Sequence, residues 1–145
     1  MASDFRRPEI AAAEAIIKRG LTNLISRFNY NPHRDKFSTD FKCDFKMPTD
    51  ETSRLYRILL SKVDLKISEQ GKIEGARSSE CKLVMNNEKD RENIRIREYT
   101  INLTPELYFD LCLQLDFNPR NKLSKEQLKQ FKEYQTQRNN YNALH

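Results

Sequence analysis

Period-two alternation of apolar and polar residues constrains this chain more than any other feature of its sequence. Over residues 40–47, Phe41, Cys43, Phe45 and Met47 fall on one side, and Lys42, Asp44 and Lys46 on the other. Successive side chains of a strand point to opposite faces, so this pattern reads as a strand with one buried face. The same period returns at 62–68, where Val63, Leu65 and Ile67 alternate with Lys62, Asp64 and Lys66. It returns again at 80–85, with Cys81, Leu83 and Met85 set against Glu80 and Lys82. A fourth stretch begins at 94–97 with Ile94 and Ile96 and continues on the other phase with Tyr99, Ile101 and Leu103. A slip of one residue turns a strand over, so a β-bulge near Arg97–Glu98 is expected to reconcile the two halves. The polar run NNEKDREN, residues 86–93, reads as the loop of a hairpin, and 69–78, with Gly71 and Gly75, as another loop.

Helical signals flank these strands. Residues 8–28 start with Pro8, whose missing N–H costs nothing in a first helical turn, and repeat Ile10, Ala13, Ile17, Leu21, Leu24 and Phe28 at three- and four-residue steps. Gly20 interrupts that helix and implies a kink or a close approach by a neighbour. Asn29 to Lys36, with Asn31-Pro32, reads as its end. Residues 50–61 place Leu55, Ile58 and Leu59 at helical spacing behind Asp50. Thr104-Pro105-Glu106 gives an N-cap hydroxyl, a proline at the first position and a carboxylate at the positive helix end, opening a helix to about Phe117. Asn118-Pro119 stops it. Ser124 and Gln127 form a capping box, with Leu123 and Leu128 as its hydrophobic staple, ahead of a last helix over 125–137. The expected architecture is one α+β domain over 1–137: a four-stranded, mainly antiparallel sheet with helices packed on one face, and a polar, frayed tail at 138–145.

Composition narrows the function classes. The chain has 145 residues, 26 Lys+Arg against 21 Asp+Glu, and three glycines in all. No phosphate-cradling glycine loop is possible with so few, and no serine sits in a nucleophile elbow. No apolar run approaches the ~20 residues of a spanning helix, and MASDFRRPE lacks the apolar core of a secretory signal. Cys43, Cys81 and Cys112 are odd in number, lack a CxxC spacing and fall in apolar phase, so they read as reduced core thiols in an intracellular protein. His33 and His145 lie far apart, so no zinc site and no cofactor is expected.

Three functional readings survive. The first is a non-catalytic interaction or assembly protein, an adaptor or self-associating subunit, docking a protein partner or a second copy through the N-terminal helix at Ile17, Leu21, Leu24 and Phe28. The second rests on the polar phase of the strands. If it faces outward it displays Lys42, Lys46, Lys62, Lys66, Lys82, Arg95 and Arg97 against Asp44, Asp64 and Glu80, a face able to hold an RNA or DNA backbone without reading its sequence. Base stacking is not expected there, because Phe41 and Phe45 lie in the buried phase. The third takes Asp64, Glu80 and Lys82, whose spacing resembles the acid and E-x-K elements of metal-dependent nucleases, although the proline that precedes that motif is missing. In a chain with 32% charged residues such a spacing also arises from an ordinary solvated face.

Overall fold

The computed structural model describes residues 8–43, 51–63, 65–67, 73–76, 81–91 and 94–144. In chain order they form α1 (Pro8–Ile25), β1 (Asn29–Asn31), β2 (Lys36–Cys43), α2 (Glu51–Ser61), β3 (Leu65–Ile67), β4 (Ile73–Ala76), β5 (Cys81–Arg91), β6 (Ile94–Leu103), α3 (Pro105–Gln114), a short 3-10 turn (Arg120–Lys122) and α4 (Lys125–Leu144). The class is α+β. Its main sheet is four-stranded and antiparallel, in the order β1-β2-β6-β5.

The sheet is built around β2 and β6. Their register sets Phe37 opposite Leu103, Thr39 opposite Ile101 and Phe41 opposite Tyr99, while β5 brings Cys81 to Leu103 and Leu83 to Ile101. This phase is buried with Leu21, Leu24, Ile25 and Phe28 from α1 and its exit, Tyr56, Leu59 and Leu60 from α2, and Tyr108, Phe109, Leu111 and Cys112 from α3. Two ring stacks anchor the helices to β2: Phe37 lies 3.9 Å from Tyr108 at 5°, and Phe41 lies 3.8 Å from Tyr56 at 13°. Phe109 then meets Phe131 at 5.4 Å, which seats α4 on α3. Asp110 reinforces that seat by accepting from the Tyr134 hydroxyl at 2.9 Å and pairing with Arg138.

The helix starts follow the sequence signals. Thr104 caps α3, its hydroxyl accepting from the Leu107 N–H at 3.3 Å, with Pro105 in the first turn. The capping box of α4 closes in both directions: Ser124 N–H donates to Gln127 Oε1 at 3.0 Å, and Gln127 N–H donates to Ser124 Oγ at 3.1 Å.

Several boundaries differ from the sequence expectation. The first strand starts at Lys36, four residues ahead of the expected 40–47, because Phe37 shares the inward phase with Phe41 although the polar Thr39 separates them; it is described through Cys43, and 44–47 lie outside the described residues. Ahead of it, Asn29–Asn31 is not only a helix end: it pairs with β2 as an edge strand, with Tyr30 packed 5.2 Å from Phe37. The described residues of the 62–68 stretch do not join the main sheet. Leu65–Ile67 instead pairs with Ile73–Ala76, inside the expected loop 69–78, as a separate two-stranded sheet. The polar run 86–93 is mostly strand, since β5 extends to Arg91 and β6 starts at Ile94. The bulge lies on β5, between Met85 and Asn87, opposite Tyr99 and Glu98. Helix α1 ends at Ile25, α3 ends at Gln114 with Asp116 in the left-handed region (φ 53°), and α4 continues through the expected tail to Leu144.

Gly20 marks where α2 meets α1. A Cβ at this position would stand 2.8 Å from Leu55 Cδ1 and 3.0 Å from Cδ2, so the glycine admits the Leu55 side chain against the helix. The clash falls on the end of a flexible side chain, while alanine gains about 1 kcal/mol in helix propensity over glycine. Gly20→Ala is therefore expected to leave the urea midpoint nearly unchanged, whereas Gly20→Leu, which cannot be accommodated by a rotamer shift, should cost about 1–3 kcal/mol.

Candidate interaction surfaces

The apolar stripe of α1 divides into two parts. Leu21, Leu24 and Ile25 are buried, Phe28 just beyond the helix is fully so, and Ile17 is half-buried against the same cluster. Ile17, Leu21, Leu24 and Phe28 are thus the root of the domain's own core rather than a seam for a partner. They were legible as an apolar arc, but periodicity alone does not say which apolar surface covers it. Toward the N-terminus the picture reverses. Every residue from Pro8 to Ile16 is exposed, with Ile10 at 50% and Ile16 at 60%. The stripe therefore continues for roughly 13 Å past the packed body at 1.5 Å per residue. Its only charged groups there are Glu9 and Glu14.

The root is held on two sides. Lys122 Nζ donates to the Phe28 carbonyl at 2.9 Å, closing the exit of α1, and desolvation there lowers the Lys122 pKa. Lys18 pairs with Asp116 at 2.6 Å, an exposed bridge of small energetic weight. Helix α1 is consequently a fixed element whose first half is exposed.

The outward phase of the main sheet is polar but not uniformly basic. Ser38 Oγ donates to Asn102 Oδ1 at 2.6 Å, and Thr100 Oγ1 donates to Asp40 Oδ1 at 2.5 Å while accepting from Asn86 Nδ2 at 2.6 Å. Lys42 pairs with Glu98 at 3.2 Å. Of the basic residues read from the alternation, Lys42 and Lys82 share this face. Lys62 lies in the turn after α2, and Lys66 lies on β3 in the other sheet. Arg97 must be corrected outright. It is 7% exposed and sits in the inward phase, opposite Glu88, to which its Nε is paired at 3.5 Å. The reason is the position of the bulge: because β5 carries it, β6 keeps one phase from Arg97 through Tyr99 and Ile101 to Leu103. Arg95 lies on β6 opposite Asp90. Lys46 lies outside the described residues.

The nuclease spacing fares similarly. Asp64 and Glu80 lie outside the described residues, and Lys82 is an exposed residue of β5. Among the described residues no group of three or more His, Cys, Asp and Glu could hold a metal ion, and no helix is long and apolar enough to cross a membrane. A concavity of about 860 Å³ lies between the β1–β2 hairpin and the first turns of α3 and α4. Arg34 and Lys36 face Asp35, Glu106, Glu126 and Glu133 across it, and the hydroxyls of Thr104 and Ser124 are already committed to their helix caps. No protein-family model, no curated protein and no solved structure matches this chain.

The two described thiols are not nucleophiles. Burial pushes both Cys81 and Cys112 up from 9.0 to about 12, and the Tyr108 hydroxyl beside Cys112 is raised as well. Because the folded-state values are raised, the unfolded chain loses these protons first. The stability they contribute is complete below pH 9 and disappears as pH rises from 9 through about 12. Denaturation midpoints are expected to fall across that window, and a thiol reagent at pH 8 should modify Cys81 and Cys112 only after denaturant is added. Rapid labelling of either in the native protein would contradict the burial argument.

Proposed function

We propose that this chain is a non-catalytic interaction protein whose docking element is the exposed half of α1. The observation that carries the reading is the run of nine consecutive exposed residues, Pro8–Ile16, in which Ile10 and Ala13 continue the stripe that packs the core one turn later and Ile16 adds a second exposed isoleucine about 120° round the helix. Single exposed apolar residues are ordinary, but two isoleucines within two turns of a helix already fixed at its other end make a preorganised ligand for a groove that wraps about a third of its circumference. Ile10 and Ile16 replace Ile17, Leu21, Leu24 and Phe28 as the residues offered to a partner. The partner this fits is a protein with an apolar groove, and basic residues at its rim would complement Glu9. The alternative of phosphate-backbone binding is supported less, because Lys42 is neutralised by Glu98 and Arg97 is turned inward.

Ile10→Asp/Ile16→Asp tests this directly. Both residues lie outside the core, so the unfolding free energy is expected to stay within the range of neutral surface changes, about 0.5 kcal/mol. A photo-cross-linking residue at Ala13 of the full chain should form an adduct of defined mass in cells, and the double substitution should abolish it. An adduct that persists unchanged in the double variant would overturn the proposal.

A further inference from the structure

The main sheet ends on β5, an eleven-residue strand with no strand on its outer side among the described residues. Such an edge presents a row of unpaired backbone donors and acceptors, and proteins blunt it with charges and bulges. In β5 those devices are unevenly placed. The bulge at Asn86 and the charged residues Glu88, Lys89, Asp90 and Arg91 occupy the second half, while Cys81–Met85 is regular and carries Lys82 as its single charge. At the end of this regular run Met85 is 52% exposed, although it stands opposite the buried Tyr99. The apolar phase of the edge is left open at that point.

We infer that a second copy of this chain pairs antiparallel with β5 over Cys81–Met85, making one continuous sheet across a two-fold axis. The segment is complementary to itself in one register. With the axis at Leu83, Cys81 faces the second copy's Met85, Leu83 faces Leu83, and Lys82 faces Val84, so apolar residues meet on the inner face and no like charges are opposed. Centring on Lys82 would set lysine against lysine. Centring on Val84 or Met85 would draw the bulged Asn86–Asn87 step into the new ladder. The other edge, β1, has only three residues and offers no comparable length. A five-residue edge of roughly 17 Å contributes less than the ~800 Å² per partner of standard interfaces, so the dimer is weak and dependent on concentration.

Sedimentation velocity over a concentration series tests the inference, with variants that read the register. Val84 is half-buried on the outer face, where a polar replacement is tolerated. Val84→Lys places a lysine against Lys82 of the second copy and should weaken dimerisation about tenfold or more; Val84→Glu places a carboxylate there and should tighten it about threefold at low salt. Amide exchange over 81–85 should slow as concentration rises. Ile10→Asp leaves the dimer intact, which separates this surface from the exposed half of α1. A wild-type chain that stays monomeric at all concentrations, or Val84→Lys and Val84→Glu variants that shift association equally, would overturn the inference.

Discussion

Two face-to-face ring stacks on one strand set the position of everything else. Phe37 and Phe41 are four residues apart on β2 and therefore share a face, and each carries a tyrosine from a different helix: Tyr108 of α3 and Tyr56 of α2. Aromatic pairs of this kind add about 0.5–1.5 kcal/mol to the area they bury. They also fix direction, since a ring plane leaves the helix that bears it little freedom to slide. Phe28, 6.3 Å from Tyr108, joins the exit of α1 to the same column, and Leu55 seated at Gly20 joins its middle to α2. The orientation of α1 thus follows from β2, through two helices that contact it independently.

The opposite face of the sheet obeys a different rule. Its hydroxyls, amides and carboxylates satisfy one another across three strands, from Ser38 to Asn102 and from Asp40 through Thr100 to Asn86. Lys42 on this face is paired with Glu98 rather than set beside another cation. A strand alternation reports which residues avoid the core; it does not report how the excluded residues are then paired.

That distinction explains what the sequence made legible. Helix starts were readable because caps are local: Thr104 bonds to an N–H three residues away, and Ser124 and Gln127 bond to each other. The alternation of Cys81, Leu83, Ile101 and Leu103 was readable because one face is buried. The three-residue strand at Asn29–Asn31 carried no period to detect. The outer half of the β5–β6 pair runs past the last described residue of β2, Cys43, and its polar residues 86–91 look like a loop although their backbones form a ladder. The phase of Arg97 is hidden for the converse reason. One irregularity was needed between the two strands, and the sequence of β6 alone could not show that its partner supplied it.

The exposed half of α1 shows the limit of periodicity as a guide to function. Ile10, Ala13, Ile17, Leu21 and Leu24 lie along one helical face with nothing in their spacing to separate them, yet Leu24 is buried and Ile10 is half exposed. The difference arises outside the helix, in how far α2 and α3 reach along it. A stripe longer than the body it packs against must end in apolar residues without an internal partner, and the length of the overhang is a property of the assembled fold. For α1, nine residues remain after the core has taken its share, fixed at one end and carrying only carboxylates as charge. Their conformational entropy is already largely spent within a helix rooted in the core, so binding there would order few additional groups, and this is the condition under which a small apolar surface becomes a useful recognition element.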